Sequence, residues 1–203
     1  MLEQFVRSVI ALLAILNPIG AVPVFLSLGG MNDTASRLRA ARTAAFAVCT
    51  ILLLSAVAGR WVLAGFGLEL SALRAGGGLV IVLMGLEMLR GEPTRVQHDN
   101  SNSTTNDNVV VPFAMPTVAG PGAITTAITL AANRRGLDHA AMTGATIVTA
   151  SAIVFAVLVL ASRVERFMNP RAQRILLRFM GLILVSLGAQ FVLGGAYDFW
   201  TQR

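Results

Sequence analysis

The chain has no lysine, a single cysteine and very little charge: only 13% of its 203 residues are Asp, Glu, Lys or Arg, against 55% hydrophobic residues. So little charge excludes the composition of an ordinary soluble globular domain. With one cysteine, Cys49, an intramolecular disulfide is excluded, and that residue reads as a small packing group. Because every basic residue is arginine and the arginines are separated by long apolar runs, a basic nucleic-acid face is excluded as well. There is no HExxH, no GxSxG, no pair of intramembrane aspartates and no Cys/His couple, so the chain is not read as an enzyme. The two histidines, His98 and His139, have no second ligand at metal spacing; they are read as surface residues, and neither a metal nor a cofactor is expected.

What the sequence does have is apolar length. Hydrophobic blocks run near 4–29, 43–66, 72–89, 109–132, 139–161 and 175–196, each close to the ~20 helical residues that cross a bilayer core. The expected fold is all-α, a polytopic six-span membrane protein. The first block resumes through "VPVFLSL" after its glycine, so it is read as an uncleaved span and not a signal peptide. Across six spans, Arg37, Arg39, Arg42, Arg90, Arg95 and the arginines at 163–178 fall on one side. Arg7, Arg60, Arg74, Arg134, Arg135 and Arg203 fall on the other. The richer side is expected to be cytoplasmic, which places both termini outside.

A polar stretch rich in Asn, Ser, Thr and Asp, residues 91–108, reads as a linker between a first three-span unit, 1–90, and a second, 109–203. The halves echo one another. Pro18 and Pro23 in "NPIGAVP" match Pro116 and Pro121 in "MPTVAGP", and "LRAGGGLVIVLMGLEMLRG" lines up with "LRFMGLILVSLGAQFVLGG", pairing Arg74 with Arg178, Gly77 with Gly181 and Gly91 with Gly195. Three spans per unit make the second run opposite to the first, so two inverted three-span repeats are expected, with the first and fourth spans broken.

The breaks carry the chemistry. Proline removes an amide donor and costs ~3 kcal/mol inside a helix, and backbone groups freed in hydrocarbon need a polar partner. Paired interruptions in matching repeats point to a substrate site between them, facing each other at the midplane. Around the second break Ala119, Gly120, Gly122 and Ala123 keep the walls small, so amides following Pro121 can approach an anion such as a carboxylate. Thr117, Thr125, Thr126 and Asn17 add hydroxyls and an amide suited to a small zwitterion or a dehydrated cation, although threonines also bond back to their own helix. Glu87, close to Arg90 at a span end, is expected to pair locally or snorkel. With no carboxylate at the midplane of a span, a sodium ion held by backbone oxygens is favoured over an acid relay for coupling. An ion or small-solute channel lined by the freed carbonyls is the alternative to a carrier.

"LNPIGAVPVFLSL" followed by "PFAMPTVAGPGAIT" resembles the paired signatures of the MarC family of inner-membrane proteins, and the similarity extends over essentially the whole chain. The resemblance implies a six-span protein of the bacterial cytoplasmic membrane that transports small neutral amino acids such as glycine and alanine; apart from it, a sodium ion or a proton is the expected coupling partner. Its motif positions here are Asn17, Pro18, Gly20 and Pro23 in the first break and Pro116, Ala119, Gly120, Pro121 and Gly122 in the second.

Overall fold

The computed structural model describes residues 2–27, 34–90, 119–132, 137–167 and 170–201, without the side chains of 23, 24, 26, 27, 137 and 161–174. Among the described residues every regular element is an α-helix: α1 (Leu2–Leu16), α2 (Pro18–Ser27), α3 (Thr34–Gly65), α4 (Leu70–Arg90), α5 (Pro121–Ala132), α6 (Leu137–Phe167) and α7 (Pro170–Thr201). Five segments are long and apolar enough to cross a membrane: 2–22, 34–65, 70–90, 138–160 and 175–201. The fourth expected span is represented by the short apolar helix α5, because 109–118 lies outside the described residues. The linker 91–108, His98, Pro116 and Thr117 lie outside them too.

Side-chain size is sorted in the sense a bilayer demands. In α3 the inward face is Ala40, Ala41, Ala44, Ala45, Val48 and Leu52, whereas Phe46, Leu54, Val57 and Trp61 are exposed. Lipid is as apolar as a leucine side chain, so large residues gain nothing by moving inward, and small ones let helices approach closely. α5 contacts α1, α3, α4 and α6, and its buried face runs from Gly122 through Thr125, Thr126, Ala127 and Ile128 to Thr129. Gly59 of α3 admits Ile128: a Cβ there would meet the isoleucine side chain, with Cδ1 at 2.7 Å.

The most extensive helix contact joins α4 and α7, which run antiparallel. Gly85 lies against the carbonyl of Gly181 and Gly78 against that of Gly188, so that an added Cβ would sit 2.7–2.8 Å from those oxygens. Gly195 closes the row on Ala75 N and Ser71 O at 2.6 and 2.7 Å. Any side chain on these positions would have to part the two backbones. At the end of the row Arg74 Nη1 donates to Asp198 Oδ2 at 2.9 Å and its guanidinium lies over Phe191 at 5.6 Å.

The positions that match in helical role differ from those suggested by letter spacing. Pro18 and Pro121 each open a helix, and the spacing between them is the spacing from Gly78 to Gly181 and from Gly85 to Gly188. On this spacing Pro121 corresponds to Pro18 and not to Pro23, which lies within α2, and the third-span pairing of Gly77 with Gly181 shifts by one residue. Gly77 is occupied differently, by the side chain of Thr125.

Candidate substrate site at the broken helices

α1 ends at Leu16 and α2 starts at Pro18, with Asn17 as the joint at φ 44°. Asparagine tolerates this left-handed conformation better than most residues with a Cβ. The Asn17 N–H still donates to the Leu13 carbonyl at 2.9 Å, and the Asn17 carbonyl accepts from Ala21 N–H at 3.2 Å. Its side chain then caps α2: Oδ1 accepts from Gly20 N–H at 3.3 Å. Nδ2 donates across to Met88 Sδ of α4 at 3.5 Å. The carboxamide lies over Gly20, where an added Cβ would collide with Nδ2 and come within 2.9 Å of Cγ. Thus "NPIG" is a capping module in which Asn17 supplies the cap, Pro18 occupies the first helical position and Gly20 makes room. Because Pro18 has no N–H, the Ala14 carbonyl loses its usual helical donor. Pro23 lies within α2.

The second break has the same proline position and a different cap. Gly120 precedes Pro121, and its carbonyl accepts from Ala123 N–H at 2.9 Å and Ile124 N–H at 3.1 Å. Glycine at the capping position offers no side chain of its own to the start of α5, and Ala123, whose N–H is taken by the Gly120 carbonyl, stands where Gly20 stands in the first break. Ala119 and Gly120 are buried, while Pro121 is exposed. Gly122 packs against Ile81 of α4, whose Cγ1 would lie 2.6 Å from an added Cβ, and near Ile15 of α1 at 3.5 Å. Thr125 is buried on Gly77, and Thr126 donates to the Gly122 carbonyl at 2.8 Å, the back-bonding use of a threonine.

Gly122 and Ile15 bring the two breaks together. Along α4 the second break meets Ile81 and the first meets Met88, two turns or about 10 Å apart. α4 is thus a common wall of the two breaks.

Polar groups that sequence reasoning passed over lie nearby. Ser151 of α6 and Thr129 of α5 are each 4% exposed, and their hydroxyl oxygens have no hydrogen-bond partner. Ser8, Leu130 and Met142 line one cavity at the N-terminal end of α1. From that level, at about 1.5 Å per residue, Asn17, Pro121 and Ser151 each lie about 14 Å along their helices. Ser151 therefore falls at the depth of the breaks. Hydroxyls recurring at helical spacing in "MTGATIVTAS" were the available signal.

Glu87 departs from expectation. Its Oε2 is buried without a partner, and the ion pairs among the described residues, Arg7–Glu3 and Arg74–Asp198, do not include it. His139 is likewise not a plain surface residue, since its Nδ1 is buried without a partner and the residue is one of those that line the cavity. No cluster of three His, Cys, Asp or Glu able to hold a metal occurs among the described residues.

Comparison with known proteins places the chain. Residues 2–199 match the family described as MarC family integral membrane protein. A UPF0056 membrane protein of Pyrococcus abyssi is 31% identical over 194 residues, covering 96% of this chain and 94% of its own. A UPF0056 membrane protein of Aquifex aeolicus is 32% identical over 200 residues, covering 94% and 91%. The UPF0056 membrane protein YhcE of Escherichia coli is 28% identical over 195 residues, again covering 94% and 91%. No solved structure is matched. The chain belongs to the MarC family of integral membrane proteins.

Proposed function

We propose that this MarC family member is a secondary transporter of small neutral amino acids, of the size of glycine and alanine, working by alternating access in a bacterial cytoplasmic membrane. The observation that carries the reading is the contrast at the two helix starts: α2 is capped by Asn17, whereas α5 begins at Gly120–Pro121 with no capping side chain among the described residues. An uncovered helix start at mid-membrane favours a carboxylate. Gly122, Ala123 and the hydroxyls of Thr125 and Thr126 form its small-walled surroundings, and Ser151 adds a hydroxyl at the same depth. On the other side, the carbonyl released by Pro18 takes the ammonium, with Asn17 holding that break in shape. Glu87 supplies a carboxylate for a coupling proton or sodium ion. The spacing shared by the prolines and the interhelical glycines supports two inverted repeats, whose rocking would alternate access.

The test is uptake of labelled glycine, alanine and larger amino acids into proteoliposomes under imposed sodium or proton gradients. We expect saturable uptake limited to the smallest substrates. Absence of amino-acid uptake under either gradient removes the reading, and non-saturating flux of ions or small solutes replaces it with the channel, the reading that the freed carbonyl of Ala14 would serve. Cysteine labelling near Arg39 and at the two ends of the chain tests the orientation with both termini outside.

A further inference from the structure

At the end of the bundle where α1 begins, a cavity of about 210 Å³ opens between α1, α5 and α6, lined by Gln4, Arg7, Ser8, His139, Thr143 and Thr146 together with Leu130 and Met142. Its walls are divided by hydrogen-bonding sense. Thr143 and Thr146 donate their hydroxyl protons to the carbonyls of His139 and Met142, at 3.0 and 2.8 Å, so their oxygens turn lone pairs outward and act as acceptors. Arg7 brings a cation to the rim, where Glu3 pairs with it at 2.6 Å. The Ser8 hydroxyl and the His139 ring provide donors, and the Nδ1 atom of that ring is buried without a partner.

We infer that this cavity is a binding site for a small zwitterion, a solute carrying an ammonium and an anionic oxygen group a few bonds apart. The anionic group meets Arg7, Ser8 and the imidazole; the ammonium meets the threonine oxygens. The cavity is larger than a glycine or alanine molecule needs, so the ligand enters with water. It lies about 14 Å from the breaks along α1, α5 and α6 alike, which makes it a vestibule on the side of the N-terminus. That role as a vestibule rests on the transport reading above, whereas occupancy of the cavity does not. The same charge pattern occurs on a phosphatidylethanolamine headgroup; the walls of three helices and the modest volume favour a free solute.

Replacing His98 with Gln leaves His139 as the single histidine, because the chain has two. With ring-¹⁵N histidine, the His98→Gln protein in phosphatidylcholine nanodiscs is titrated with alanine, acetate or methylamine, and a parallel sample contains phosphatidylethanolamine. The His139 ring signals are expected to shift saturably with alanine, and about tenfold more weakly with either one-charge analogue. Thr146→Val combined with Ser8→Ala should weaken the alanine response by a similar ~tenfold. The inference is overturned if alanine leaves the ring unmoved, if acetate does as well as alanine, or if only the lipid headgroup moves it. Uptake measured on the same protein separates the two readings: a responsive His139 without uptake sinks the transporter and keeps the site, and uptake with a silent His139 does the reverse.

Discussion

The two helix breaks are built on the same proline and finished differently. In the first, Asn17 folds its carboxamide over the start of α2, and the residue three positions on must be Gly20 because the carboxamide occupies the space of a Cβ. In the second, Gly120 has nothing to fold over, and the corresponding position is Ala123, a residue that does have a Cβ. The Asn–Gly pair and the Gly–Ala pair are each self-consistent, and exchanging one member alone breaks the logic. The lesson is that a proline-marked interruption is not by itself a site. One is closed by its own side chain and bridged to α4 through Met88; the other has no capping side chain among the described residues.

The strongest blow to the closed break is Gly20→Val. Its side chain would displace the Asn17 carboxamide, losing the cap and overpacking the joint, for a combined cost of about 3 kcal/mol. Thermal unfolding in detergent reads this, and a midpoint equal to that of the parent would show that the cap contributes nothing. Next comes Gly122→Ala, which pushes a methyl onto Ile81 and should cost about 2 kcal/mol. Gly122→Ala with Ile81→Ala should be less destabilised than the sum of the single changes, since the two share one space. Strict additivity would mean that α4 and α5 are not in the contact described.

Smaller still is the pair at the joint itself. Asn17→Ala loses the cap and strains the left-handed position, about 1–2 kcal/mol, whereas Asn17→Gly keeps the conformation and should cost a few tenths, about 0.5 kcal/mol. If alanine proves the milder change, neither the conformation nor the cap governs this joint. A small stability effect and the sharpest functional one come from moving the cap across. Gly120→Asn with Ala123→Gly should give α5 the closed start of α2 and raise stability by up to about 1 kcal/mol. The same change should remove glycine and alanine uptake, because the carboxamide occupies the proposed carboxylate position; undiminished uptake would place the substrate elsewhere.

Much of this was legible in the sequence. Apolar length marked six blocks, five of which appear as membrane-length helices, and two of the four prolines, Pro18 and Pro121, stand at helix starts. The matching between halves was harder. Letter spacing paired Pro23 with Pro121, but Pro121 opens a helix as Pro18 does while Pro23 lies within α2, since a proline at the first helical position and one inside a helix are the same letter doing different things. Glu87 was read as a partner of Arg90 from their proximity in the chain, and yet its Oε2 is buried alone. The reach of a side chain is set by the surrounding packing as well as by sequence distance.

The sequence by itself determined that this is an all-helical membrane protein with interrupted spans, because hydrophobic length and missing amide donors act locally and need no partner to be felt. Only the tertiary structure decided which break is closed and which open, that α4 lies against both, and that Ser151 and His139 face inward with unmet hydrogen-bonding capacity. These depend on which residues distant in the chain share one space, and in an apolar sequence nearly any helix face is hydrophobic enough to pack. Burial then carries no periodic signature, and the arrangement is chosen by the fit of small residues, glycine against carbonyl, that only contact reveals.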